Sequence, residues 1–395
     1  MFTLVSRVIV AGSAAMLLAA VVIWRTSSGV AVEAGDAAGA TGILVPATFA
    51  VAGSGMSPPV AYGDRLLVFR RTVASPSEVA LKVRDVQTGR EWTSAFWTPG
   101  ASAIRIETAA LTPDGHALIG GLATSTPAGA ARLNGVTGPI QWAEGGDGFD
   151  EDMRSFTAEI DGSGRVLKII DFGTYVVQRL CASDDGTLWT IGRDWKHEHD
   201  ADSSETYDLV RHYSARGEMV SHFLPRQWLR PALAVGNPDW ARLRAAAFLA
   251  CGQRSIVAYL AGPAGSLVVE IDPSSRATRS RHVVRVPGVV MSGLAVLADN
   301  SVHAVFATPV RPRTGERAAS TRPDGGGAAT DSGSAPGLYT LDANSRPAVW
   351  HPSGESRRNI GLLIGADGER LVLWRRESAL ADGALVLIKP RRLLP

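Results

Sequence analysis

The residues best suited to chemistry lie in one short stretch, His197, His199, Asp200 and Asp202. Alternate positions on an extended segment turn to the same side, so His197 and His199 could face one divalent ion, with Asp200 and Asp202 close by in sequence. The spacing is not the helical His-Glu-x-x-His of zinc proteases. A solvated polar loop explains the same residues, because ligands without outer partners bind metal weakly. Asp147, Asp150, Glu151 and Asp152 form a second acidic group. They lack the EF-hand spacing and its twelfth-position Glu, so a charged surface loop accounts for them. No Gly-x-Ser-x-Gly elbow, phosphate loop or dinucleotide fingerprint is present. The sequence therefore assigns no catalytic and no cofactor-binding residue, and leaves a divalent metal as the one cofactor to consider. Trp189, Trp195, Tyr207 and Trp228 surround the histidine stretch. On an exposed rim they would anchor a sugar or a peptide, and inside the fold they would serve packing alone. The two cysteines, Cys181 and Cys251, are too far apart in sequence for a zinc site; a disulfide and a pair of buried thiols are both open.

The elements that must position these groups are read from a recurring turn. Asp114-Gly115, Asp185-Gly186, Asp299-Asn300 and Asp367-Gly368 each stand between two short apolar runs. Asp-Gly and Asp-Asn supply the positive-φ position that a tight hairpin needs. A hairpin returning along a chain signals radial repetition, an all-β fold of the β-propeller kind. Six inner hairpins can be placed, at 60–69, 109–122, 179–192, 247–260, 294–306 and 362–374. Outer hairpins alternate with them at 83–92, 133–142, 160–167, 213–220, 271–276 and 341–346. An inner and an outer pair together make a four-stranded blade, and stacked blades bury both faces of hairpins that would be marginal alone.

Six blades are favoured over residues 42–395. Seven stay open, because 133–142 and 160–167 both claim the same outer position. An early strand at 43–52 is expected to complete the last blade and close the ring, removing exposed sheet edges. The Pro/Gly/Ser-rich stretch 311–337 reads as a disordered insertion, and 240–251 as the one candidate for a brief helix. Both cysteines then fall at the ends of inner strands in neighbouring blades.

Of the 395 residues, 45% are hydrophobic and the net charge is +2. With no long basic run, nucleic acid is not an expected partner. The N-terminus carries an uncharged apolar span at 8–24, between Arg7 and Arg25. It is long for a signal-peptide core and short for a membrane helix. Residues 1–25 are read as a hydrophobic helix, an uncleaved signal anchor ahead of a cleaved signal peptide. Residues 26–41 are read as a flexible stalk. Either form places the rest of the chain outside the cytoplasm, held at an inner membrane facing the periplasm or exterior, or secreted.

Several outer copies resemble the repeat of quinoprotein-type and related bacterial propellers, in which Asp-x-x-Thr-Gly is followed by a Trp. The matching residues are Asp85, Thr88, Gly89 and Trp92, then Asn134, Thr137, Gly138 and Trp142, with a degenerate copy at Asp342 and Trp350. The inner copies equally resemble NHL-type and six-bladed propellers of secreted bacterial proteins. The resemblance implies the propeller fold, with the Trp docking one blade on the next. It does not carry an activity, since the adjacent cysteines and calcium-binding carboxylates of quinone-dependent dehydrogenases are missing. The expectation is a non-catalytic propeller that binds a protein or glycan. The alternative is an extracytoplasmic enzyme of the lactonase, lyase or quinoprotein kind with a metal at the funnel.

Overall fold

At 112–116, 183–187 and 297–301 the first residue of the turn donates its amide to the fifth residue's carbonyl at 3.0 Å. The fourth residue donates back to the first at 2.8–2.9 Å. That fourth position has φ of 80° at Gly115, 77° at Gly186 and 63° at Asn300, the left-handed region open to Gly and tolerated by Asn. The pairs at 114–115, 185–186 and 299–300 are therefore one turn used repeatedly, while Asp367 pairs with Arg370 across a two-residue turn.

The computed structural model describes residues 32–33, 41–45, 60–62, 65–71, 78–85, 90–97, 100–126, 153–194, 208–225, 247–262, 265–284, 286, 289–308, 336–352, 361–376 and 383–390. Two strands come first, β1 (Val32–Glu33) and β2 (Thr41–Val45). Next are β3 (Val60–Tyr62), β4 (Arg65–Arg71), β5 (Glu78–Asp85) and β6 (Glu91–Trp97), then β7 (Ala103–Leu111), β8 (Ala117–Thr124), β9 (Met153–Ile160) and β10 (Val166–Gly173). The third group is β11 (Tyr175–Ala182), β12 (Leu188–Asp194), β13 (Asp208–Tyr213) and β14 (Met219–Pro225), and the fourth is β15 (Ala247–Cys251), β16 (Ile256–Gly262), β17 (Gly265–Ile271) and β18 (Thr278–Val283). The chain continues with β19 (Val290–Val296), β20 (Val302–Ala307), β21 (Gly337–Asp342) and β22 (Val349–Pro352), and ends with β23 (Leu362–Asp367), β24 (Arg370–Arg376) and β25 (Gly383–Ile388).

These strands form six antiparallel sheets, numbered one to six from β3: five are four-stranded meanders and the last joins β23, β24 and β25 to β2 and β1. The first strands of the sheets touch in cyclic order, β3 to β7, β11, β15, β19, β23 and back to β3. The chain is a β-propeller. The ring is closed by β2, which pairs with β25 from Thr41↔Leu387 to Val45↔Gly383. An N-terminal strand thus seals the C-terminal sheet, and opening the ring requires breaking that ladder.

Packing follows the same logic. The buried clusters lie between sheets rather than at one centre. Leu81 and Phe96 meet Ile104 and Phe156, and the rings of Phe96 and Phe156 stack at 5.6 Å. Trp350 of the fifth sheet lies 6.3 Å from Tyr259 of the fourth, and Trp92 of the first packs with the core that Phe156 and Ile160 share. Trp92 and Trp350, which carry two copies of the repeat resemblance, accordingly join neighbouring sheets, while Trp142 lies outside the described residues.

Three expectations change. Val32–Glu33, inside the stretch read as a flexible stalk, is a short strand paired with β2 through Val32↔Ile43. Ala247–Cys251, the end of the candidate helix, is an innermost strand, because its Ala, Leu and Phe residues pack against both neighbouring sheets. The outer hairpin of the second sheet is the one at 160–167, formed by β9 and β10. Residues 133–142 lie in the connection between β8 and β9, outside the described residues, as do residues 1–31 and 311–335. Among the described residues no helix is long and apolar enough to cross a membrane.

Where the innermost strands come closest, only glycine fits. A Cβ at Gly293 of β19 would penetrate the carbonyl oxygen of Leu363 on β23 and lie 2.7 Å from its Cβ. The Gly293→Ala protein is expected to lose about 1–3 kcal/mol, the usual cost of overpacking. An unchanged urea midpoint would refute the close approach.

Candidate functional site

The innermost strands run in parallel around the axis, so the ring has an upper face, where they begin, and a lower face, where they end. Antiparallel alternation then fixes the face of every connection. Among the lower-face connections none exceeds seven residues, the longest being 34–40 between β1 and β2. All the longer ones leave from the upper face: 46–59, 125–152, 195–207, 226–246, 308–336 and 353–361. Loops that carry function cluster on a scaffold in this way.

Between the faces runs a funnel with a cavity of about 540 Å³, a volume in the usual range for small-ligand sites, to which all six innermost strands contribute. Four of these strands carry one extra residue against their partner: Glu107 between Ile106↔Gly121 and Thr108↔Gly120, and likewise Gln178, Ser292 and Ile364. Such bulges re-aim the side chains beside them. Among the described residues the wall is chiefly apolar, with two charged residues on it. Glu107 has a side chain 5% exposed, and its Oε1 lies 2.7 Å from Nε of Arg105. Arg179 lies over the ring of Phe248 at 5.4 Å, and its Nη1 donates to the Gln178 carbonyl at 2.9 Å. A guanidinium beside an aromatic ring gains a cation–π contact.

Cys181 and Cys251 face each other across this wall and are joined, with Cα atoms 5.7 Å apart. The bond ties β11 to β15, the innermost strands of the third and fourth sheets. At the lower mouth a recess of about 140 Å³ is lined by Asp184, Gln253 and Asp367. Asp367 is ion-paired with Arg370. A catalytic metal is ordinarily held by three protein ligands. Among the described residues no three His, Cys, Asp or Glu side chains converge on one point, so the donor set of a funnel metal is not found there.

His197, His199, Asp200 and Asp202, with Trp195 and Tyr207, lie in the connection 195–207, and Trp228 lies in 226–246; all are outside the described residues. Both connections attach on the upper face. Trp189 is different. It is fully buried, stacked on His212 at 4.0 Å and on Phe223 at 5.6 Å, so it belongs to the core and not to a rim. It alternates into the interface between the third and fourth sheets, the position where a large apolar ring gains most. Burial also holds the His212 imidazole below its ordinary pKa.

The base of the 195–207 connection is built from polar groups. Asp194, the last residue of β12, accepts from Thr174 at 2.8 Å and lies 3.4 Å from Arg211. Arg211 covers the ring of Tyr175 at 3.8 Å. The Tyr175 hydroxyl donates to the Leu209 carbonyl at 2.7 Å, and burial raises its pKa. Both ends of the connection are thereby fixed in a satisfied network.

No family model and no curated protein matches the chain. Its likeness to solved structures is at fold level only. It aligns with the PQQ-bound aldose sugar dehydrogenase of Streptomyces coelicolor at 14% identity, over 90% of this chain and 99% of that one, with a TM-score of 0.41. The β-propeller domain of the Trilobed protease of Pyrococcus furiosus aligns at 10% identity, over 84% and 81%, with a TM-score of 0.41. TolB of Acinetobacter baumannii aligns at 11%, over 84% and 66%, with a TM-score of 0.37. No activity passes to this chain at that distance.

Charged residues on the funnel wall were missed by sequence reasoning. Glu107 and the pair Gln178-Arg179 stand at the bulges of innermost strands, so strand register turns Glu107 and Arg179 to the funnel and residue type alone does not reveal it.

Proposed function

We propose that the six sheets are the six blades of an extracytoplasmic binding propeller, which presents its upper face and funnel mouth to a protein or glycan. The asymmetry of the two faces carries the reading. Every long connection departs from one face, over a funnel walled by Arg179, Phe248 and Glu107, while the other face is made of short turns. The base of the 195–207 connection is pinned by Asp194 and Arg211, which supports a presented loop. The Cys181–Cys251 disulfide supports an oxidising compartment. The apolar span 8–24 supports an anchor facing outward.

The test is crosslinked capture of the tagged full-length protein from native membranes, with metal analysis of the same sample. A reproducible protein or glycan partner is expected. Its yield should fall about tenfold, the loss of roughly one good contact, in the Arg179→Glu, Phe248→Ala variant. A stoichiometric divalent ion or bound small molecule with no partner would replace this reading by that of a funnel enzyme.

A further inference from the structure

The Cys181–Cys251 bond borders two spaces. Both cysteines line the funnel cavity, and Cys251 alone also lines the recess at the lower mouth. Both are only partly buried, against the core that the third and fourth sheets share. Exposed disulfides are the ones that exchange with thiols. Cys251 is the sulfur reached from the lower face. Ser183 Oγ donates to its Sγ at 3.9 Å. Ser183 opens the 183–187 turn, and the next residue, Asp184, lines the recess beside Gln253 and Gly368. These three are exposed, so solvent reaches the recess.

A thiolate attacks a disulfide in line with the S–S bond, opposite the sulfur that leaves. An approach from the recess meets Cys251 and expels Cys181 towards the funnel. The leaving side carries a cation. Arg179 and Cys181 are two residues apart on β11, past its bulge, and share one face of the strand. Both line the funnel. A guanidinium near a thiol lowers its pKa, and a thiol of lower pKa leaves faster.

Charge at the recess selects the thiol. Four lower-face turns border it, at 183–187, 252–255, 297–301 and 367–370. In the last of these, Asp367 and Glu369 are ion-paired with Arg370 and Lys389. In the other three, Asp184, Asp185 and Asp299 outnumber Arg254. An acidic rim draws in a cationic thiol and holds off an anionic one.

We propose that Cys251 is a thiol-modification site, at which a small cationic thiol enters through the lower recess. In the first step the thiolate forms a bond to Cys251 Sγ. The Cys181–Cys251 bond breaks with its electron pair on Cys181 Sγ, and Cys251 is held as a mixed disulfide. A second thiolate then attacks the sulfur that the first one brought. Cys251 leaves as a thiolate beside the Ser183 hydroxyl. Two small thiols are thereby oxidised to one disulfide, the protein disulfide is reduced to two thiols, and the protons exchange with solvent. The strands β11 and β15 stay together through Trp189, Leu209, Leu249 and Ile256.

The experiment treats the full-length protein in mild detergent with cysteamine, a cationic thiol, or with mercaptoethanesulfonate, an anionic one, at matched thiolate concentration. Alkylation stops the reaction, peptide masses locate the products, and circular dichroism follows the fold. The expected product, formed on folded protein, carries cysteamine on Cys251 and the alkyl group on Cys181. Relative to their rates with a small neutral disulfide, cysteamine should outpace the sulfonate by about threefold, the scale of one exposed charge contact, and Asp184→Asn should reduce that preference. Arg179→Gln should slow the first step, because the leaving thiolate loses its cation. An adduct on Cys181 would overturn the proposal. So would exchange that occurs only when urea unfolds the chain, equal rates for the two thiols, or an Arg179→Gln protein as fast as wild type. None of these readouts depends on an upper-face partner, so this proposal and the binding reading fail separately.

Discussion

Replacing Cys181 and Cys251 by alanine is expected to cost about 4 kcal/mol of unfolding free energy, from the loop-closure entropy of a 70-residue separation. The physical reason lies in the unfolded chain. The crosslink removes conformations that separate β11 from β15, and those conformations return when it is absent. The folded state should change little, since the two strands also share the interface of Leu249, Ile256, Trp189 and Leu209. Urea unfolding of the oxidised wild type against the double alanine variant measures the difference. Reduction of the wild type should reproduce it. A midpoint shift equivalent to less than about 1 kcal/mol would mean that the reduced unfolded chain already holds these strands together. Because the bond stands on the funnel wall, its loss should also loosen Arg179 and Phe248, and partner capture offers an independent readout.

Much of this frame was legible because turn chemistry is local. The Asp-Gly and Asp-Asn pairs carry their own φ requirement, and they located innermost hairpins that the strand pairing reproduces, from β7–β8 to β23–β24. The closing strand was readable in part: it is expected at 43–52 and pairs as Thr41–Val45, with residues 46–52 outside the described residues. Register was not legible. The extra residues Glu107, Gln178, Ser292 and Ile364 shift each strand by one position, and a shift of one exchanges the two faces of a strand. The sequence pattern therefore could not say which residues meet the funnel. Trp189 shows the same limit from the other side. An aromatic beside a polar loop reads alike whether it faces solvent or a neighbouring sheet, and only the stacking of sheets decides. The two competing hairpins at 133–142 and 160–167 have equal local quality, and the strand ladder of β9 with β10 chose the second.

Stability should fall as pH drops from about 6.5 towards 4, and His303 supplies the reason. This residue is 2% exposed on β20. Burial pushes its pKa down to about 4, against an opposing pull from Asp299. Its hydrogen bonds fit the neutral ring. Ser301 Oγ donates to Asp299 at 2.5 Å, which leaves that oxygen to accept from His303 Nε2 at 2.8 Å. Thr340 then donates to Nδ1 at 3.0 Å. Protonation would set two donors against each other at Nδ1 unless the Thr340 hydroxyl turned away. The unfolded chain accepts the proton near pH 6.5, but the folded chain resists it until about pH 4. Above pH 6.5 both states are neutral and the contribution is intact. Between the two values the unfolded state alone binds the proton, and the folded state loses ground, by about 2 kcal/mol at pH 5 and about 3 kcal/mol in full. His303→Gln keeps polar atoms in the pocket and removes the titration. Its unfolding free energy should therefore change less between pH 7 and pH 5 than that of the wild type, whatever its value at pH 7. Parallel pH dependences in the two proteins would mean that His303 takes up its proton at an ordinary pH inside the fold, against the desolvation that its burial imposes.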